Sequence, residues 1–176
     1  MVLSVAMHYD GWGNPWITHL LPLARVLPFS GRIRVPERPP FGLKDERMRA
    51  WIATQMKRMG RSEAGAASLR VADLLRARDL VACVRAACPR IDVPLLLLHA
   101  KEDECATPKG PLEIAQAVRS TQVRCVLMAD CYHMISIDRE KELVLGEMLQ
   151  FLQHHVRQET TDAQGAPARV LSLFGS

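Results

Sequence analysis

The stretch from Pro94 to Asp138 constrains the fold more than any other part of this chain. Leu95, Leu96, Leu97 and Leu98 form an unbroken apolar run between Pro94 and a polar turn, the pattern of a short strand buried on both faces in a parallel sheet. Pro111 stands where the first turn of a helix tolerates proline, and Leu112, Ala115 and Val118 follow at helical spacing. After Ser120-Thr121-Gln122, the segment Val123 to Met128 predicts a second strand. Strand, helix, strand with no room for a hairpin implies a right-handed crossover between two parallel strands. Asp103 and His133 then fall in loops just past the carboxyl ends of those strands, the edge at which open α/β sheets bind ligands. Topology alone brings one carboxylate and one imidazole to a common rim.

The remaining elements follow from local signals. Val2 to Met7 predicts a strand, and the turn chemistry of His8 to Pro15 ends it. Pro22 and Pro28 break residues 15–27 into short helical pieces, and Pro36, Pro39 and Pro40 predict an irregular, extended crossing over 30–43. Asp45 is placed to cap a helix with Met48, Trp51, Ile52, Met56 and Met59 toward one face. Ser68 is placed to cap a longer helix reaching Ala87, with Val71, Leu74, Leu75, Val84 and Cys88 inward and Pro89 as the stop. A last helix is expected over 139–153, with Leu143, Val144, Met148, Leu149 and Leu152 as its buried stripe. Beyond Arg157 the composition predicts a flexible tail, interrupted by the apolar Val170 to Phe174.

Composition excludes several classes. With 176 residues, 48% apolar and 24% charged, the chain suits one soluble globular domain. No apolar run approaches the roughly 20 residues of a membrane span. Met1 to Met7 lacks the basic leader, apolar core and cleavage site of a signal peptide. The five cysteines are odd in number and form no C-x-x-C pair, which predicts free thiols and a cytoplasmic location. Residues 31–90 carry 14 Lys/Arg against 6 Asp/Glu, a balance of +8, and the remainder balances at −4. Only 5% of residues are aromatic and no nucleic-acid-binding motif is present, so the basic middle is expected to be a solvated helical surface rather than a nucleic-acid site.

A carboxylate beside an imidazole supports nucleophilic catalysis: the acid fixes the tautomer and orientation of the ring, and the ring takes a proton from a hydroxyl or thiol. The segment Pro94 to Asp103 resembles the acid-bearing strand and turn of α/β-hydrolases, with Ala100 where their His-Gly-x-x-Asp motif has glycine. Asp130-Cys131-Tyr132-His133-Met134 resembles the histidine-bearing turn of carboxylesterases and monoacylglycerol-lipase-like members, and Tyr9 to Trp12 and Pro40 to Asp45 are similar to the start and middle of that family's lid. The resemblance covers residues 2–155 and is most specific around His133.

It implies a partial α/β-hydrolase fold, with three parallel strands, flanking helices and a mainly helical lid. The expected core is 1–12 with 91–156, the lid 13–90 and the tail 157–176. It further implies a serine carboxylic-ester hydrolase that needs no cofactor or metal and acts on a small apolar ester, with Asp103 as orienting acid and His133 as general base and acid. Trp51 and Met56 are candidate contacts for the apolar part of the substrate. In that family the nucleophile precedes the acid and the histidine and sits in G-x-S-x-G on a strand-to-helix elbow. No G-x-S-x-G occurs here. Gly60-Arg61-Ser62-Glu63-Ala64-Gly65 is one residue too long and lies in the expected lid, and Ser4 and Ser136 are misplaced. The chain is therefore expected to correspond to the C-terminal half of such an enzyme, without the nucleophile and oxyanion-hole amides.

Other arrangements rank lower. Cys105 and Cys131 flank the same rim, but zinc motifs show closer ligand pairs, so the thiols are read as spectators. Cys131 is two residues from His133 in an extended turn and tends to point away from it. Asp10, after the first strand, is a weaker alternative acid. A non-catalytic remnant or partner-binding piece of the fold is the second functional class, in which strand Val2–Met7, left at a sheet edge, invites self-association or pairing with another chain.

Overall fold

The computed structural model describes residues 1–14, 16–62 and 65–165, with 16–20 and 158–165 described by backbone alone. In chain order the elements are β1 (Val2–Leu3), 3-10 turns at Trp16–Arg25 and Ser30–Arg32, β2 (Arg34–Pro36), α1 (Glu46–Met59), β3 (Arg61–Ser62), β4 (Gly65–Ala66), β5 (Ser68–Arg70), α2 (Val71–Ala87), a 3-10 turn at Cys88–Arg90, β6 (Leu95–Ala100), α3 (Lys109–Ala117), β7 (Val123–Met128) and α4 (Lys141–Gly165). The main sheet has the order β1-β6-β7 and both pairings are parallel. Leu97 and Leu98 face Val2 and Leu3 on one side, and Leu95 through Ala100 run opposite Val123 through Met128 on the other. This is a three-stranded parallel α/β sheet with flanking helices.

Every residue of β6 is buried. Because successive side chains of a strand point to opposite faces, Leu96, Leu98 and Ala100 join Met128, Cys131, Ile135 and Val144, a cluster that α4 covers through Val144 and Met148. Leu95 and Leu97 face the other way and pack with Met7, Cys88 and Ile114, under α3 and the end of α2. One strand thus divides the core into two layers.

Several elements differ from expectation. The first strand keeps only Val2–Leu3, because Ser4 takes φ +46°, outside the extended region, although its N–H still reaches Leu98 O at 2.8 Å. The middle of the chain is not all helical: β2 pairs antiparallel with β5, and β3 with β4. The β2–β5 pairing sets Arg34 opposite Arg70, Val35 opposite Leu69 and Pro36 opposite Ser68, and leaves no trace in local periodicity. Ser68 belongs to β5, so α2 starts at Val71 instead, with the Arg70 guanidinium bound to Asp73 at 2.9 and 3.1 Å. Asp45 does cap α1, accepting Met48 N–H at 2.9 Å. On α1, Ile52 and Met56 are buried with Leu43, but Trp51 is 42% exposed and Met59 also faces solvent. The last helix does not stop at 153. Its backbone continues to Gly165, in place of the tail expected from 157, since no Gly or Pro interrupts it between Glu147 and Gly165. Val170 to Phe174 lies outside the described residues. Among the described residues no helix is long and apolar enough to cross a membrane.

Leu97, fully buried at the centre of the sheet, sets a measurable scale. Leu97→Ala is expected to lower unfolding free energy by about 2–5 kcal/mol in urea titration, whereas Leu80→Ala, on the exposed side of α2, is expected to change it by less than about 0.5 kcal/mol.

Candidate active site

The loop after β6 is built around a buried carboxylate. Asp103 is 3% exposed, and its Oδ1 accepts the N–H groups of Cys105 (2.7 Å) and Ala106 (2.9 Å) two and three residues on, the turn chemistry that aspartate supplies to its own backbone. Its other oxygen, Oδ2, lies 2.8 Å from His133 Nδ1. His99, buried within β6, places Nε2 2.9 Å from Ala106 O and 3.4 Å from Asp103 Oδ2, bracing the same turn from below. From the side of β1, Gly11 N–H donates to Cys105 O (3.2 Å) and Gly13 N–H to Glu104 O (2.9 Å). A Cβ on Gly11 would stand 2.2 Å from Glu104 O, so only glycine permits that approach. Asp10 accepts from Thr107 N (2.9 Å) and Thr107 Oγ1 (2.7 Å). It holds the acid loop, and its carboxylate is turned to Thr107 rather than to His133.

In the loop after β7, three successive amides are taken up by three different partners. Tyr132 N–H donates to Asp138 Oδ2 at 2.8 Å, His133 N–H to Glu104 Oε2 at 3.2 Å, and Met134 N–H to Gly42 O at 2.8 Å. Gly42 has φ +78°, and a Cβ there would meet Met134 Cγ at 2.5 Å and His133 Cβ at 3.4 Å. The chain before α1 therefore lies directly against the histidine turn only because residue 42 has no side chain. Lys44 Nζ sits 3.0 Å from both Glu102 and Asp130, and over the Tyr132 ring at 5.6 Å from its centre.

Burial by itself lowers the His133 pKa, but the hydrogen bond to Asp103 and the charges of Asp103, Glu104 and Glu37 outweigh it and raise the ring above its ordinary 6.5. Glu104, 5% exposed, is raised first by burial and then by Asp103. Glu37 is raised by burial and by Glu104. With Nδ1–H donating to Asp103, the neutral ring keeps its lone pair on Nε2, and the His133 side chain is 25% exposed at the rim. The arrangement can take a proton at Nε2 and hold the resulting imidazolium among carboxylates.

The sequence-derived candidates separate clearly in space. Asp103 and His133 come together. Met56 packs with Leu43 and Ile52 in the cluster that includes Met134 and Ile137. Trp51, five residues earlier and therefore about 140° around the helix, lies outside that cluster, so the two do not form one wall. Ser62 lies in β3. Cys131 is not at the rim: it is buried in the core beneath it and its sulfur accepts Glu140 N–H at 3.3 Å. Burial pushes its thiol up to about 12. Cys105 does approach, its sulfur and ligand atoms of Asp103 and His133 lying within 4.8 Å of one another. Those atoms do not fit a metal centre, because both Asp103 oxygens are engaged by N–H donors. Burial, with Glu104 and Asp103 close by, also holds the Cys105 thiol far above its ordinary range.

Glu104, His99, Gly42 and Asp138 were not anticipated. Glu104 adjoins Asp103, and Asp138 stands between the histidine turn and an apolar helix, but nothing in either position reveals a partner distant in sequence.

A parallel sheet with an Asp–His pair on the loops of adjacent strands is an arrangement that occurs in the α/β-hydrolase class. A family model described as "Serine aminopeptidase, S33" (Hydrolase_4) matches residues 1–140, and the chain belongs to that family. It is 29% identical over 84 residues to the thermostable monoacylglycerol lipase of Bacillus sp. (strain H-257), a match covering 48% of this chain and 34% of the relative. Among solved structures, a lipolytic enzyme from the metagenome-derived LipS and LipT pair superimposes with a TM-score of 0.66 at 20% identity, over 87% of this chain and 54% of that one. The soluble variant of monoglyceride lipase from Saccharomyces cerevisiae gives 0.62 at 19%, over 78% and 48%. The Paleococcus ferrophilus monoacylglycerol lipase gives 0.60 at 16%, over 86% and 57%. The chain spans about a third of the length of the curated relative and about half that of these structures.

The raised His133 pKa gives a stability test with a definite sign. A ring whose folded value exceeds its unfolded 6.5 contributes stability that is complete below about 6.5 and lost as pH rises through the folded value. Urea midpoints measured from about pH 5.5 to about pH 9 should fall more for the wild type than for Asp103→Asn, which removes the charge that raises the ring.

Proposed function

We propose that this chain supplies the acid and the base of a lipase- or esterase-type serine hydrolase, acting on carboxylic esters with an apolar acyl or alcohol part. The observation that carries this reading is the 2.8 Å contact between His133 Nδ1 and Asp103 Oδ2, which leaves Nε2 as the free base at the rim. A serine hydroxyl adds to the ester carbonyl carbon as its proton passes to Nε2. The tetrahedral oxyanion then collapses, and the alcohol leaves with the proton that His133 returns. Water repeats the sequence on the acyl-serine and releases the acid. Asp103 orients the ring and, with Glu104 and Glu37, stabilises the imidazolium at each stage. No cofactor enters these steps. Since G-x-S-x-G is absent from the sequence, the serine and its oxyanion-hole amides are assigned to a segment outside these 176 residues. Met56, from the buried cluster beneath α1, and Trp51, from the exposed side of that helix, are proposed as contacts for the apolar part of the ester. The naming of three similar proteins as monoacylglycerol or monoglyceride lipases supports an ester of this kind, and five free cysteines suit the reducing cytoplasm.

A fluorophosphonate probe and p-nitrophenyl butyrate hydrolysis test this assignment. The chain alone is expected to be unlabelled and inactive. Complemented with a G-x-S-x-G-bearing segment, it is expected to hydrolyse the ester, and His133→Ala is expected to lower kcat by roughly 10⁴-fold or more. Labelling of the chain alone that His133→Ala abolishes would overturn the placement of the nucleophile. Full activity of the complemented His133→Ala variant would overturn the role of the histidine.

A second reading, a partner-binding piece of the fold, is favoured by one observation: β1 is an edge strand whose outer side has no sheet neighbour among the described residues. The isolated chain is then expected to associate. Sedimentation as a monodisperse, cooperatively melting monomer would count against pairing through β1.

A further inference from the structure

The geometry points to Asp138 as a positioning residue that couples the start of α1 to the His133 turn, so that the two move as one body. Asp138 is 2% exposed and makes no ion pair among the described residues: its carboxylate is taken up by four backbone amides. Oδ1 accepts Asp45 N–H (2.8 Å) and Arg139 N–H (3.0 Å), and Oδ2 accepts Lys44 N–H and Tyr132 N–H (both 2.8 Å). Oδ2 therefore joins the start of α1 to the histidine turn at Tyr132, and Oδ1 joins the start of α1 to the amide that follows Asp138 itself, where that turn runs on toward α4. A carboxylate oxygen has about two lone-pair sites, so the set is complete.

Two further facts place this clamp where it governs the ring. Asp45 caps α1, so the carboxylate lies at the positive end of a helix dipole that favours its charge. Met134 N–H donates to Gly42 O on the other side of His133, so both neighbours of the histidine are tied to residues 42–45. Any displacement of α1 at its root is transmitted to Tyr132 and Met134 together, and hence to the His133 Nδ1–Asp103 contact. In the hydrolase reading, on which the catalytic consequence rests, a lid of this kind opens at some place other than the start of α1.

The test uses the full 176-residue chain, with amide hydrogen exchange and the downfield Nδ1 proton resonance of His133 as readouts. Asp138→Asn keeps one acceptor oxygen and turns the other into a donor, which breaks one of the two bridges. Its signature is faster exchange of a matched pair, either Lys44 with Tyr132 or Asp45 with Arg139, by about tenfold or more. In Asp138→Ala all four amides are expected to accelerate and the Nδ1 resonance to broaden or vanish. Acceleration confined to Lys44 and Asp45, with Tyr132, Arg139 and the His133 resonance unchanged, would overturn the coupling. If Asp138→Ala does not fold, the matched pair in Asp138→Asn decides alone. These readouts need no turnover, so failure of the ester-hydrolysis assay leaves them standing, and their failure leaves the assay standing.

Discussion

A strand with all six residues buried cannot exist by itself, and the architecture follows from what β6 requires. Its backbone groups need partners on both edges, which β1 and β7 provide, and its two faces need apolar cover. One face receives α4, and the other receives α3 with the end of α2. The same strand carries His99 at its last turn into the rim, where the imidazole braces the acid loop from inside the protein. The position of Asp103 is thus inherited from hydrophobic burial one residue at a time. β7 is held in register with β6 over the full length of both, so the loop carrying His133 emerges beside the loop carrying Asp103.

Placing three acidic side chains around one imidazole is costly in water-poor surroundings, and the local backbone offsets much of that cost. Asp103 gives one oxygen to two amide dipoles and Glu104 accepts the His133 amide, and neither contact requires a counter-charge to be buried with it. Glu104 is less fully solvated by the protein, and burial raises it. The ring between them is consequently biased toward the protonated state. In the proposed acyl-transfer cycle that bias favours the intermediate in which His133 holds the proton, at the expense of the fraction of ring that is unprotonated at rest.

The crossover unit was legible because its signals are local: four leucines, a helix that begins at a tolerated proline, and a second apolar run. The Asp–His pair followed from topology, and the resemblance to α/β-hydrolases gave each residue a role. What stayed hidden depends on partners far apart in the chain. Arg34 to Pro36 became a strand only by meeting Ser68 to Arg70, and proline-rich composition argued for irregular backbone there. Ser68 carried the residue type of a helix cap but was drawn into that pairing. Shared apolar character groups Trp51 with Met56, although five residues of helix turn them about 140° apart, so that Met56 is buried and Trp51 exposed. Asp138 reads as an ordinary helix-start acid, and its contacts with Lys44 and Asp45 appear only when chain segments more than 90 residues apart are brought together.

The seam between α1 and the two rim loops is held in two chemically different ways, and ions in solution discriminate between them. Lys44 pairs with Glu102 and Asp130, both about half exposed, and such pairs weaken once the Debye length falls to about 3 Å near 1 M salt. The Asp138 carboxylate is enclosed and held by dipoles, beyond the reach of mobile ions. In concentrated brine the outer stitching of the seam would loosen while the inner one stays closed, leaving the histidine turn in register with a root that has lost its surface charges' help.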